Sequence, residues 1–194
     1  MKHSLPDLIA AQRNVHVLYS YDERNTYFQT LMAYILDCIS AKEIIILIEN
    51  ERNYRKVMTE LKKMISNEET QYIHFINSFE FYFSSGNYHP PAITAYFEKE
   101  IEPYLDHQTF FRTWAHVEWN STDVPHHLIH DLETRIDGAV NDIEFPLICA
   151  YKNVDMPTDL RKILLQTHPF VLSEAELVPE KASLSVTANS VTHE

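Results

Sequence analysis

In the segment VHVLYSYDERN, residues 15–25, a strand-like apolar run leads directly into a helical pattern that starts at Glu23. Phosphate-binding α/β folds place a glycine-rich loop at such a turn, because glycine permits positive φ and lets backbone N–H groups close on a phosphate. The turn at 20–25 has two carboxylates and neither glycine nor lysine, and the whole chain contains only Gly86 and Gly138. The patterns G-x-x-x-x-G-K-[ST] and G-x-G-x-x-G occur nowhere. The sequence therefore predicts the scaffold of a nucleotide-binding domain without its phosphate chemistry.

Strand-like and helical patterns alternate along the rest of the chain. Strands are predicted at 15–19, 43–48, 72–76, 109–119, 145–151 and 168–172, and helices at 5–12, 23–40, 51–65, 92–105, from 123 onward and at 158–166. The uninterrupted apolar run at 43–48 suits a strand covered on both faces, which places it in the sheet interior. The aromatic segment 79–91 contains Gly-Asn and Pro-Pro pairs, which favour an ordered loop or short hairpin. This order predicts a three-layer α/β domain with a mainly parallel sheet.

The length, charge and amino-acid composition of the chain limit the kind of protein that it can be. A length of 194 residues and a hydrophobic content of 45% fit one domain with a sizeable core. We expect an N-terminal arm or short helix at 1–13, the domain at 14–173 and a polar tail at 174–194. The net charge of −12 argues against direct binding to nucleic acid. Cys38 and Cys149 lie in apolar contexts and are predicted to be buried free thiols. No apolar run is long enough to span a membrane, so a cytoplasmic protein is expected.

Four short segments, taken in order, carry a resemblance to a known family. They are the opening strand and turn 16–23, the strand 43–50 with the helix after it, residues 112–119 before a long helix, and the pair 148–151 and 165–169. In this order they resemble the MEDS family, named for methanogen/methylotroph and DcmR-type sensory domains. That family is similar to the RecA/KaiC-like ATPases but lacks the phosphate loop. The resemblance therefore implies a RecA-like fold and a sensory role.

The family also implies partners, and the sequence departs from its pattern at two places. Such domains usually act beside kinase or DNA-binding domains, so a signalling protein, either a kinase or a transcription regulator, or a second copy of this chain is the implied partner. Ala115-His116 stands where relatives often carry glycine-glutamate, with Glu118 two residues later. Lys152 stands where relatives often carry aspartate. If those acidic positions contact ligand in relatives, the ligand here is different or lost.

A small-molecule site is predicted at the carboxyl ends of the strands, where open parallel sheets bind ligands. Aromatic walls with a few hydrogen-bonding groups are typical of such pockets. The alternative is that the aromatic residues are core or rim and that the aspartate after the first strand caps the next helix. The candidate ligand-binding residues are Tyr21, Asp22, Glu49, Asn50, His116, Glu118, Trp119 and Tyr151.

Enzyme chemistry is less well supported by the sequence. His126 and His130 have i,i+4 spacing on one predicted helix, which can hold a metal, but the motif His-Glu-x-x-His is absent and a solvated helix face is the preferred interpretation. No Gly-x-Ser-x-Gly elbow occurs, and Cys149 lies in an apolar strand where a thiolate is costly. We therefore predict no catalytic residues, no metal and no cofactor.

Three functions follow as hypotheses. The first is a non-enzymatic sensory or regulatory protein that binds a small ligand or a signalling protein and acts by protein–protein contact. The second is an enzyme, either a diverged nucleotide-binding ATPase or a metal-dependent hydrolase. The third is a pure interaction module that docks through the aromatic segment 79–88, which requires those side chains to be exposed.

Overall fold

The computed structural model describes residues 4–119, 125–172 and 177–179. The helices are α1 (Leu5–Ala11), α2 (Arg24–Ser40), α3 (Glu51–Leu61), α4 (Ser78–Tyr82), α5 (Pro90–Asp106), α6 (His126–Ile143) and α7 (Thr158–Thr167). The strands are β1 (His16–Tyr21), β2 (Ile44–Glu49), β3 (Ile73–Asn77), β4 (Phe111–His116), β5 (Leu147–Lys152), β6 (Phe170–Leu172) and β7 (Leu177–Pro179). Short 3₁₀ turns lie at Glu69–Tyr72 and Asn153–Asp155. Within these ranges no helix combines the length and the apolar character that a membrane span requires.

The strands form one sheet in the order β3-β2-β4-β5-β1-β6-β7. All neighbouring pairs are parallel except β6 and β7, which are antiparallel. Strand β2 pairs with β3 on one side and β4 on the other, so Ile46 lies opposite both His74 and Thr113. This confirms the predicted three-layer α/β fold and the interior position of the continuous apolar strand.

Helices cover both faces of the sheet and create two apolar cores. Successive residues of a strand point to opposite faces, so Leu47 and Trp114 pack under α1, α2 and α3, whereas Ile46 and Ala115 pack under α4, α5, α6 and α7. Trp114 is fully buried and is the largest such side chain. A sheet buried on both faces explains why its central strands read as apolar runs rather than as alternating ones.

Short connections bring polar groups to the carboxyl edge of the sheet. Only Asn50 separates β2 from α3, and its side chain caps the helix by accepting a hydrogen bond from the backbone N–H of Asn53 (2.9 Å). Only Asp22 and Glu23 separate β1 from α2. A phosphate-binding loop of the Walker type needs about eight residues at that place, so the turn has no room for one.

The structure corrects two local predictions, and two others fall partly or wholly on residues that it does not describe. The segment 79–91 is not a loop or hairpin throughout, because Asn77 caps a helical turn by accepting from the N–H groups of Phe79 and Glu80, and α4 follows β3 directly. The predicted strand 109–119 is shorter, since β4 ends at His116. The expected start of α6 at 123 lies outside the described residues, and α6 is described from His126. Of the predicted tail at 174–194, only β7 is described.

Candidate functional site

An open cleft lies at the carboxyl edge of the sheet, where β1, β4 and β5 end side by side. Its volume is about 360 Å³, and most of its wall is polar. The lining residues are Tyr21, His116, Val117, Glu118, Trp119, Lys152 and Asp155. Four of the eight sequence-predicted site residues thus line one cavity, and they come from the end of β1 and from the end of β4 with the residues that follow it.

Glu49 lies behind this cleft and is fully buried. Its carboxylate accepts hydrogen bonds from the backbone N–H of Asn50 (2.7 Å), from the side-chain amide of Asn53 (3.1 Å) and from the hydroxyl of Tyr27. The imidazole of His116 donates through Nδ1 to the same carboxylate at 2.7 Å. Burial alone would raise the pKa of Glu49, but His116 and the other donors outweigh it and lower the pKa. Glu49 is therefore a buried carboxylate whose hydrogen-bonding capacity is filled by the protein.

His116 connects this carboxylate to the wall of the cleft. Its Nε2 lies 2.9 Å from the hydroxyl of Tyr21, which lines the cavity. Burial would lower the pKa of His116, yet the hydrogen bond and negative charge of Glu49, with a further contribution from Glu118, raise it above 6.5. In its protonated form the ring donates from both nitrogens, one proton to Glu49 and one to the hydroxyl oxygen of Tyr21. Both ring nitrogens are engaged, so His116 acts as a fixed part of the wall.

Glu118 is held at the rim by two neighbouring elements. Its carboxylate accepts from the side-chain amide of Asn50 (3.1 Å) and from the hydroxyl of Ser78 (2.9 Å). The Glu118 side chain is still 41% exposed, so part of the carboxylate faces solvent and the cleft. Asn50 does not line the cavity but orients Glu118, the predicted residue that does.

The remaining predicted residues lie around the cleft. Tyr151 is fully buried on the opposite face of the sheet, where its hydroxyl donates to Glu133, and its ring centroid is 6.4 Å from that of Trp119. Asp22 is exposed and accepts a hydrogen bond from the side-chain amide of Asn153 (2.8 Å). Neither residue belongs to the cavity lining, although Tyr151 supports the ring of Trp119 from below.

Sequence reasoning missed three contributors to this site. Tyr27 and Asn53 sit one turn into α2 and α3 and look like ordinary helical residues in the sequence, and only the packing brings them to Glu49. Asp155 enters the lining from the 3₁₀ turn after β5. The strand-end rule also points toward Asp155, but two residues separate it from the end of β5.

Several polar groups at the cleft are already hydrogen-bonded to one another. Glu49, His116 and Glu118 offer ligand atoms within 4.8 Å of one another, a spacing that a metal ion can bridge. However, Glu49 and His116 already bond each other, and the second nitrogen of His116 bonds Tyr21. The residues that line the cavity include no serine and no cysteine, so they supply no nucleophile of that class. The cleft therefore presents hydrogen-bond donors, hydrogen-bond acceptors and aromatic rings that are held in place by the surrounding protein.

Two solved structures with a similar fold share little sequence with this chain. A DnaB-like replicative helicase, from a structure of its interactions with primase, matches with a TM-score of 0.56 and 9% identity, covering 84% of this chain and 47% of its own. The flagellar accessory protein FlaH from Methanocaldococcus jannaschii matches with a TM-score of 0.51 and 11% identity, covering 84% of this chain and 71% of its own. At these identities the matches establish the RecA-like fold alone, and this chain spans about half of the helicase.

The family comparison is more specific. The comparison with curated proteins found no match. The family model of the MEDS domain, the methanogen/methylotroph, DcmR sensory domain, matches residues 15–169, which is most of the chain and includes every strand from β1 to β5. Together with the RecA-like sheet and its two-residue first turn, this match shows that the chain belongs to the MEDS family of sensory domains.

Proposed function

We propose that this chain is a non-enzymatic sensory protein that binds a small polar molecule in the strand-end cleft and transmits binding by contact with a signalling protein. The observation that carries the proposal is the fixed wall of the cleft: buried Glu49 holds His116, which in turn holds the hydroxyl of Tyr21. Such a wall costs little to order when a ligand binds, because its side chains are already in place. Membership of a family of sensory domains supports the same role.

The charges around the cleft indicate the class of ligand. Glu118 and Asp155 supply carboxylates, Lys152 supplies an ammonium group, and Trp119 supplies an aromatic face. A ligand that fits carries both a donor or positive group and an acceptor or negative group. Phosphate esters fit poorly, because the cleft is lined by the carboxylates of Glu118 and Asp155 and the two-residue turn after β1 has no glycine loop whose backbone N–H groups could close on a phosphate.

The aromatic segment is less suited to docking than its sequence implies. Phe81, Tyr82 and Tyr88 are buried in the core under α4 and α5, and only Phe79 of this group is largely exposed, at 63%. A single exposed ring is ordinary for a protein surface. The cleft is therefore the better candidate for the working surface.

Native mass spectrometry of the untagged protein, isolated under non-denaturing conditions, tests this proposal. We expect the wild type to carry a small molecule that Glu118→Gln loses, since the substitution keeps the shape of the side chain and removes its charge. Glu60→Gln is the matched control, because Glu60 lies near the far end of α3 in an exposed pair with Lys63. The same spectra report the subunit count. Equal ligand occupancy in Glu118→Gln and Glu60→Gln contradicts a binding role for the cleft.

A further inference from the structure

A second polar cluster lies on the opposite face of the sheet, away from the cleft. It consists of His16 at the start of β1, Cys149 in β5, Glu133 in α6 and His168 directly after α7. These side chains are at most 3% exposed, and each offers one ligand atom within 4.8 Å of the others. Four buried metal-ligating groups brought together from four parts of the fold call for an explanation, because buried polar groups normally satisfy one another by hydrogen bonds.

The outer hydrogen bonds point one ligand atom of each residue toward a common centre. His168 donates from Nδ1 to the carbonyl of Leu164 at 2.7 Å, and its buried Nε2 has no hydrogen-bond partner. His16 directs its Nδ1 toward the carbonyl of Thr167 at 3.0 Å, which leaves Nε2 facing the cluster. This is the pattern of metal-binding histidines, whose second nitrogen is held by an oxygen of the protein.

The carboxylate and the second histidine are fixed in the same way. Tyr151 donates to Oε1 of Glu133, so Oε2 is the oxygen that faces the cluster. Asp137 lies 3.1 Å from Nδ1 of His16 and adds a carboxylate behind that ring. Every group except the thiol of Cys149 is thus oriented from outside the cluster.

Four of the six ligand-atom distances inside the cluster fit the edges of a coordination tetrahedron, and the other two are at most 4.8 Å. Oε2 of Glu133 lies 3.5 Å from Nε2 of His16, 3.6 Å from Nε2 of His168 and 3.7 Å from Sγ of Cys149. Sγ of Cys149 lies 3.5 Å from Nε2 of His16. Tetrahedral zinc bonds of about 2.0–2.3 Å place neighbouring ligand atoms about 3.3–3.6 Å apart. The nitrogen–oxygen distances are too long for good hydrogen bonds.

We propose that His16, Glu133, Cys149 and His168 bind one divalent zinc-class cation in the core. One thiolate and one carboxylate balance the two positive charges of the cation, and two neutral imidazoles complete the set. On binding, the thiol proton of Cys149 and any proton on Nε2 of His16 leave for solvent. The site is closed, with four protein ligands and no exposed position, so its role is structural. The bound cation would link β1 and β5 to α6 and to the residue that follows α7.

Cobalt substitution in the full chain tests the proposal. The untagged protein is unfolded with chelator, then refolded with Co²⁺ so that the buried site is accessible while it forms. We expect one cobalt per chain, the intense visible bands of tetrahedral cobalt and a thiolate-to-cobalt charge-transfer band. Zn²⁺ added during refolding should abolish these bands. No bound cobalt, or cobalt bound without a thiolate band, overturns the proposal.

The chain contains its own matched control, because Cys38 is also a buried free thiol but lies in the other core. Cys149→Ser should lose the charge-transfer band, and Cys38→Ser should keep it. The reverse result, or a band in both variants, overturns the assignment. X-ray absorption on the zinc-loaded wild type makes the test independent of variant folding. One sulfur and three nitrogen or oxygen neighbours support the site, whereas a shell without sulfur places the metal elsewhere, such as on the histidines of α6.

Discussion

Replacing Glu49 by glutamine should destabilise the domain far more than an ordinary surface change does. Glu49 is fully buried and accepts from Tyr27, Asn50, Asn53 and His116. Glutamine keeps the volume and one acceptor oxygen, but it presents an amide to the hydroxyl of Tyr27 and removes the negative charge beside His116. Breaking a buried ion pair from one side costs about 3–5 kcal/mol, and we expect a loss in that range at neutral pH.

The effect should depend on pH in a definite direction. Folding raises the pKa of His116. Its contribution to folding stability is therefore complete below the unfolded pKa of 6.5 and is lost as the pH rises through the folded pKa. Folding lowers the pKa of Glu49. Its contribution to folding stability is therefore complete above the unfolded pKa of 4.5 and is lost as the pH falls through the folded pKa. The coupling between the two residues is therefore greatest between the lowered pKa of Glu49 and the raised pKa of His116.

Urea unfolding of the wild type, Glu49→Gln, His116→Gln and the double variant measures this coupling as a double-mutant cycle across pH. Glu60→Gln is the control and should change the free energy of unfolding by about 1 kcal/mol or less, as exposed pairs do. If Glu49→Gln lowers the free energy of unfolding no more than the control does, the claim that Glu49 and His116 form a charged pair is contradicted. A coupling energy that does not fall at alkaline pH contradicts it as well.

Three further predictions concern the fold and the missing phosphate loop. Calorimetry with ATP and Mg²⁺ should show no micromolar binding, because the first turn is only Asp22 and Glu23; micromolar affinity would refute that interpretation. Ile46 is fully buried in β2, so Ile46→Ala should lower the free energy of unfolding, measured with urea, by about 2–5 kcal/mol. Met64 is 61% exposed, so Met64→Ala should lower it little. Equal effects of the two substitutions would contradict the interior placement of β2. Burial raises the pKa of Cys38 to about 12, so a thiol reagent should modify it only as the protein unfolds, and rapid labelling of the native protein would show that it is accessible.

Much of the fold follows from local sequence patterns. The apolar run at 43–48 is uninterrupted because β2 is covered on both faces, and that property can be read without a structure. The helix α4 after β3 differs from the predicted loop, because the Gly-Asn and Pro-Pro pairs lie at the end of the segment, whereas Asn77 caps a helix at its beginning. Turn residues late in a segment say little about how it starts.

The site was predictable only in part, for a geometric reason. Strand ends identify Tyr21, His116 and Glu118, because parallel strands bring their carboxyl ends to one edge. Side-chain direction is a separate matter: Tyr151 follows the same rule but points to the other face. Contacts made by helices, such as that of Glu133 with the cluster on β1 and β5, depend on helix packing, and no local pattern in the sequence reveals them.

Ligand binding in the strand-end cleft is tested by ¹H–¹⁵N NMR spectra of the labelled chain, recorded with a library of amino acids, short-chain amines and alcohols. The proposed function predicts that compounds that bind shift the indole signal of Trp119 and the backbone signals of His116, Glu118 and Lys152. It also predicts that Glu118→Gln weakens these shifts and that Glu60→Gln leaves them unchanged. Shifts confined to the aromatic segment 79–88, or equal shifts in both variants, contradict it.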